Sequence, residues 1–454
     1  MNPYPRYKPA GIEWIDELPV HWITSKLAHF SRIKTGGTPE KAELEYWDNG
    51  TINWMTSGEV NGKYIYSTTN KITEKGMQNS NANLLPAGSV MMALSGQGKT
   101  KGTVAILRVP SSCSQSLAAI ICDDLALHHD YLLFYLESNY KNLRGLVGDD
   151  LRDGLNLDIV GQIRVPLPPL SEQQAIAAYL YEKTRKIDTL IEKKQRLIEL
   201  LKEQRTGIIN HAVTKGINPN VKMKDSGFDW LGEIPEHWEV LPFRRGIEFL
   251  TDFEANGSFA DLKENIKTDS GNPYAWYVRA TDLESDRVGL SPENRFCDEE
   301  TYRYLSKTSL FGGELLVTKR GEIGKVYLMP KVGMPATLAP NLYLVRLNDK
   351  LHPPFVYTWF LSGFGNPQLV LANKSTTIGA LYKDDIKDCL CPFPPLEEQK
   401  RIFIHIDEQT KRVDGLVRDA EHAIQLLQEY RTALISAVVT GKIDVRDYLN
   451  GKSN

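Results

Sequence analysis

The sequence predicts an α+β protein of two globular regions and two long helices, related by an internal repeat with pseudo-two-fold character. Three observations carry this. Two motifs occur twice in the same order. Between them lie two stretches of about 140 residues, rich in short β-forming segments and turns. After each stretch the hydrophobic pattern changes to that of a long amphipathic helix.

The repeat comes first, because it governs everything else. GIEWIDELPVHW, Gly11 to Trp22, returns as GFDWLGEIPEHW, Gly227 to Trp238. PLPPLSEQQAI, Pro166 to Ile176, returns as PFPPLEEQKRI, Pro392 to Ile402. The second match runs on without a gap, so that Glu203, Arg205, Thr206, Ile209, Val213 and Thr214 meet Glu429, Arg431, Thr432, Ile435, Val439 and Thr440. The expected division is a first domain at 1–165, a helix at 166–216, a second domain at 217–391, and a second helix with a tail at 392–454. The variable parts, 23–165 and 239–391, differ in sequence and are expected to differ in what they recognise.

A chain of 454 residues that is 41% hydrophobic can fill two or three cores. A net charge of −3 is not that of a small, strongly basic nucleic-acid binder, so any such contact must come from local patches. Five scattered cysteines suit a reducing compartment and form no disulfide framework. Cys389 and Cys391 lack further ligands nearby for zinc, and no metal site is expected. No apolar run has the length of a membrane span, and the start lacks a signal-peptide core. The expected location is the cytoplasm.

In the first helix Ile176, Leu180, Ile187, Leu190, Leu197, Leu201 and Ile208 recur at three- and four-residue steps, with Lys183, Lys194 and Gln204 filling three heptad positions. This predicts a coiled-coil seam. Ser171 and Gln174 have the spacing of a capping box, and the stop falls near Gly216. Ile402, Ile406, Val413, Leu416, Ala423, Leu427 and Leu434 repeat the seam, with a stop near Gly441. Each helix of about 40 residues spans roughly 60 Å and needs a partner, for which the other copy is the simplest choice. Either orientation is sterically open. Antiparallel packing would give a pseudo-two-fold object with a globular domain at each end.

ALSGQGKT, Ala93 to Thr100, fits a phosphate-loop pattern apart from its first residue. A phosphate loop must lead from a strand into a helix. Here TKGTVAILRVP follows, which reads as another strand. The counterpart LLVTKRGEIGKVYLM, Leu315 to Met329, has the same strand–turn–strand pattern without the signature, so both read as hairpins. HPPF, His352 to Phe355, resembles a methyltransferase motif but has His in place of the Asn or Asp that holds the amine; it reads as a helix start. The acidic VGDDLRDG, Val147 to Gly154, reads as a solvated loop. Glu172 and Glu398 sit in first turns, where they complement the helix dipole. His21 and His237 recur within the shared frame and read as structural. No catalytic residue is expected.

YKPAGIEWIDELPVHW, KTGGTPEKAELEYWDNGTINWM, VPLPPLSEQQAI, MKDSGFDWLGEIPEHW, GELLVTKRGEIGKVYLMP, TLAPNLYLVRL and CPFPPLEEQKRI, in this order, resemble the DNA-specificity subunits of type I restriction-modification enzymes. The resemblance covers nearly the whole chain. It implies two target-recognition domains held apart by antiparallel coiled-coil helices, each domain reading half of a bipartite double-stranded DNA target. It also implies docking of two methyltransferase (modification) subunits on the helices, with restriction subunits completing the complex. S-adenosylmethionine, ATP and Mg would belong to those partners, and this chain would catalyse nothing alone. Candidate DNA contacts are Lys34, Thr38, Lys99, Lys101, Arg279, Lys319, Arg320 and Lys325, chosen as basic or polar residues mostly beside glycine turns. Two other readings compete with this one. A self-sufficient enzyme would need the phosphate loop or HPPF to work, and a coiled-coil adaptor would bind proteins without reading bases.

Overall fold

A computed structural model describes residues 3–96, 100–146, 154–268, 273–283, 294–373 and 379–448. The chain forms two compact units, one made of 1–195 with 422–454 and the other of 196–421. Both long helices contribute to both units.

The first domain is built on strands β1 (Ser31–Thr35), β2 (Tyr64–Ile65), β3 (Val90–Ala93), β4 (Val104–Leu107) and β5 (Leu117–Cys122), in the order β1-β5-β3-β4-β2. β3, β4 and most of β5 are buried on both faces, which is why they read as unbroken apolar runs. Helix α1 (His129–Ser138) packs Tyr131, Phe134 and Tyr135 into the same core. The long helix α2 (Leu170–Lys215) follows. The second domain repeats the arrangement with β6 (Ile247–Asp252), β7 (Leu315–Thr318), β8 (Val326–Leu328) and β9 (Leu342–Leu347), in the order β6-β9-β7-β8. Helix α3 (Pro353–Leu361) is its counterpart of α1, and α4 (Leu396–Val439) is the second long helix.

β3 and β4 pair antiparallel, as do β7 and β8. The strand before Gly96 is thus followed by a strand, the opposite of what a phosphate loop requires. Lys99 and most of the acidic stretch, Val147 to Asp153, lie outside the described residues. HPPF opens α3, with His352 at the cap and prolines in the first turn.

The two long helices run antiparallel within each unit. In the first, Ile176 and Leu180 of α2 share a core with Leu434, Ile435 and Val438 of α4. In the second, Ile209 and Val213 of α2 share one with Ile402 and Ile406 of α4. Of the fourteen predicted apolar seam positions, eleven are buried or half-buried and three are displaced by one residue. Ile176, Leu180, Ile187, Leu201, Ile402, Ile406, Val413 and Leu434 are buried, and Ile208 and Leu427 are half-buried. Leu190, Leu197 and Leu416, however, are 42%, 41% and 49% exposed. Their places are taken by the next residue in each case: Ile191, Ile198 and Val417 are the half-buried ones, and Thr184 and Thr410 continue the stripe. Measured round the helix from Leu180, Thr184, Ile187 and Ile191 all lie within about 40° of one face, whereas Leu190 lies about 80° away. Arg205 and Arg431 also lie on this stripe. Arg205 Nε donates to Asp414 at 2.9 Å, and Arg431 Nε donates to Asp188 at 2.8 Å, the same pair twice by repeat position.

α2 begins at Leu170, so Ser171 lies inside the first turn instead of capping it. The Pro169 carbonyl accepts the Gln173 N–H at 3.0 Å and starts the helix itself. Gln173 is fully buried, and its carboxamide does three jobs. Its Oε1 accepts the His128 N–H at 2.8 Å, and its Nε2 donates to the carbonyls of Ala126 and Pro168, both at 2.9 Å. Gln399 repeats every bond, to His352 N–H and to the carbonyls of Lys350 and Pro394. The Q of each PPLxEQ motif therefore ties the end of one domain to the start of its helix.

Gln173→Ala would leave one buried donor and two buried acceptors without partners. The expected loss is about 3 kcal/mol in the first unit, measured as a lower urea midpoint, with the second unit's transition unmoved.

Candidate nucleic-acid interface

The lead-in motifs are fastened to the helix ends. Trp22 is fully buried, and its indole N–H donates to Glu172 Oε1 at 3.0 Å. His21 Nε2 lies 2.9 Å from Glu172 Oε2, and the Tyr4 hydroxyl also bonds this carboxylate. Glu172 is thus more than a dipole complement; sequence reading missed the pairing because Trp22 and Glu172 are so far apart in the chain. In the second copy His237 meets Glu398 at 2.8 Å. Each motif also packs on the end of the other long helix. A Cβ on Gly441 would lie 2.4 Å from Pro19, and one on Gly216 would lie 3.4 Å from Trp238 and from Glu398. Both glycines take positive φ, +70° and +74°, which lets each helix end there. The frame histidines serve this fastening.

A half-buried charge cluster joins the first domain to the helices. Glu137 of α1 accepts Lys63 Nζ at 2.7 Å and Arg431 at 2.9 Å. Burial would raise the Glu137 pKa, but the two cations hold it below the usual range. Burial also lowers the Lys63 pKa. In the second domain Leu361 occupies the position of Glu137, so Arg205 there has Asp414 alone among these partners.

The eight candidate contacts divide sharply. Lys34 is exposed on β1, Thr38 is half-buried just beyond it, and Arg320 is exposed after β7. Lys101 is only 6% exposed, so it is no surface cation, although its place beside a glycine turn suggested one. Arg279 forms a fork on Asp282, with Nε 3.0 Å from Oδ1. Lys325 pairs with Glu322 at 2.7 Å. Lys319 is largely buried and bridges Asp252 at 2.7 Å and Glu254 at 2.9 Å. Lys383 reaches the other oxygen of Asp252 at 3.2 Å. Burial pushes the Asp252 pKa up, and the two lysines more than offset it, leaving it below the ordinary value. These cations hold the fold first.

Among the described residues one group, His128, His129 and Asp130, is spaced to offer three metal ligands. Its carboxylate is already engaged by Arg108 at 2.6 Å. All five cysteines are free thiols. Cys389 and Cys391 are buried, and burial raises both thiol pKa values, Cys389 to about 12. No described helix is long and apolar enough to cross a membrane.

Lys319→Met would leave Asp252 with Lys383 alone, at an expected cost of about 3 kcal/mol to the second unit. The Asp252 pKa is depressed, so its stabilisation is complete above the unfolded value of about 4 and is lost as pH falls through the lower folded value. Wild type should therefore lose second-unit stability more steeply below about pH 4 than Lys319→Met does, as read by denaturant midpoints against pH.

Comparison with known proteins places this geometry. The family model for the type I restriction modification DNA specificity domain matches residues 19–200 and again 253–416. The type I restriction enzyme MjaIX specificity subunit of Methanocaldococcus jannaschii is 24% identical over 95% of this chain and 96% of its own length. The EcoKI specificity subunit of Escherichia coli K12 is 21% identical over 94% and 90%. Among solved structures, a chain from work on complex assembly and conformational transition of the type I R-M system matches with TM-score 0.70 and 16% identity, over 94% of this chain and 99% of that one. The HsdS subunit of Thermoanaerobacter tengcongensis matches with TM-score 0.55 and 15% identity, over 94% and 98%. With two matched segments spanning most of its length, the chain belongs to the type I restriction-modification DNA-specificity family and is a non-catalytic, DNA-recognising specificity subunit.

Proposed function

We propose that each domain reads one half of a split double-stranded DNA target, and that α2 and α4 set the unread spacing between the halves. The observation that carries this is the duplicated frame itself. One order of four strands, one helix start and one His–Glu fastening of the lead-in occur twice, while the surfaces at the sheet ends carry unlike side chains. Two readers of one construction and different chemistry suit two different half-sites. A helix of 46 residues supplies a stiff element at about 1.5 Å per residue.

The long helices also serve as the docking surface for two methyltransferase subunits, with restriction subunits completing the assembly in the cytoplasm. Leu190, Leu197 and Leu416, displaced from the seam, support this reading, since exposed leucines on a helix are suited to a partner surface. The partners bind S-adenosylmethionine, ATP and Mg and perform the chemistry. Their contacts to phosphate make the near-neutral charge of this chain tolerable.

Replacing residues 23–165 with the corresponding region of another specificity subunit tests the reading. With methyltransferase subunits co-expressed, methylated-adenine mapping should show one half of the target changed and the other half and the spacing kept. A target unchanged throughout would mean an adaptor without base reading. Leu197→Glu together with Leu416→Glu should weaken capture of the methyltransferase subunit at least about tenfold by pull-down titration while leaving the melting temperature of the isolated chain within a degree or two.

A further inference from the structure

Each domain carries an open depression at the same topological place, where the edge strand ends and its neighbour begins. In the first domain it lies past β1 and before β5, is about 650 Å³, and is lined by Thr38, Gln78, Asn79, Asn81 and Gln115. In the second it lies past β6 and before β9, is about 870 Å³, and is lined by Asp252, Glu254, Lys263, Lys319, Arg320 and Asn341. The frame is shared and the lining is not.

We propose that these two depressions are the base-reading surfaces, and that the first is built for an adenine-bearing base-pair edge in the major groove. This rests on the reading that each domain contacts a half-site.

The chemistry of the first lining separates base from backbone recognition. Phosphate contact calls for cations, and this lining has none; its one charged member is Glu40, which repels phosphate. Four exposed carboxamides instead offer donor and acceptor in one plane, the pattern that matches adenine N6 and N7. Local bonds orient two of them. The Thr38 hydroxyl donates to Gln115 Oε1 at 2.6 Å, which leaves the Gln115 amide to donate outward, as N7 requires. Asn79 Nδ2 donates to the Lys75 carbonyl at 2.9 Å, which leaves its oxygen to accept, as the N6 amino group requires.

The floor is rigid before any ligand arrives. A Cβ on Gly36 would lie 1.8 Å from the Cys113 carbonyl oxygen, and one on Gly37 would lie 2.7 Å from the backbone of Asn81. Only glycine lets the loop lie this close to Cys113 at position 36 and to the 81–82 backbone at position 37. The Trp54 indole then holds the Gly37 carbonyl at 2.9 Å. Preorganisation of this kind lowers the entropic cost of binding. In the second depression Lys319 is neutralised by Asp252 and Glu254, and Arg320 is exposed at the rim. A guanidinium there is matched to guanine O6 and N7.

The test uses the full chain co-expressed with its methyltransferase subunits, with methylated adenines mapped genome-wide. Wild type must first yield a split target; without one the half-site reading itself fails, whatever the depressions do. Given that target, Gln115→Ala and Asn79→Ala should each relax discrimination at one or two base pairs of one half-site by about ten- to a hundredfold. The other half and the spacing should stay as in wild type. Arg320→Ala should relax the opposite half. If Asn79→Ala unfolds the short helix whose end it caps, Gln115→Ala, exposed and outside any helix, carries the test alone. Folded variants that keep wild-type selectivity overturn the proposal. So does an equal loss of affinity for every sequence, which would make these residues backbone contacts.

Discussion

The architecture depends on a Glu–Gln pair at the start of each long helix, with Gln173 and Gln399 fully buried, Glu172 buried and Glu398 half-buried. Two prolines bring the chain out of the domain, and the helix begins at once with both side chains turned inward. Glu172 gathers the lead-in motif through Trp22, His21 and Tyr4. Gln173 gathers the loop before α1. Neither residue could be exchanged for an apolar one of similar size, because each satisfies buried polar groups that have no access to water. The helix direction relative to the domain follows from these bonds. A base-reading surface on the domain is useful only if that direction is fixed.

The same frame tolerates different interiors. The two sheets share the order of four strands, the first adding β2 at its edge, and Arg205–Asp414 repeats Arg431–Asp188 by position. The first domain adds Glu137 and Lys63 to its arginine, whereas the second has Leu361 in the place of Glu137. Both domains pack on their helices through apolar cores, and the first adds a half-buried charge cluster that the second lacks, since Leu361 is 43% exposed.

Much of this was legible from the chain. Repetition revealed the frame, and the hairpin reading of the glycine turns followed from what comes after them. The helix stops near Gly216 and Gly441 were readable because glycine is the residue that permits positive φ there. The seam was largely legible: periodicity locates an apolar stripe but does not choose between adjacent apolar positions on its edge, as at Leu190, Leu197 and Leu416. Choosing needs the partner helix, which selects Ile191 over Leu190. Surface cations were the least legible. Lys319, Arg279 and Lys325 look alike in sequence beside Arg320, yet all three are occupied by carboxylates: Arg279 and Lys325 by near neighbours, Asp282 and Glu322, and Lys319 by Asp252 and Glu254 brought from elsewhere.

The sequence by itself determined the duplication, the α+β domains, the two long helices and the family, because these rest on local pattern and spacing. Tertiary structure alone decided the antiparallel pairing, the Glu172–Trp22 fastening, and the collection of Thr38, Asn79, Asn81 and Gln115 around one depression. Those residues come from three separate loops. Only the pairing of β1 with β5, and the close approach that Gly36 and Gly37 allow, brings them together.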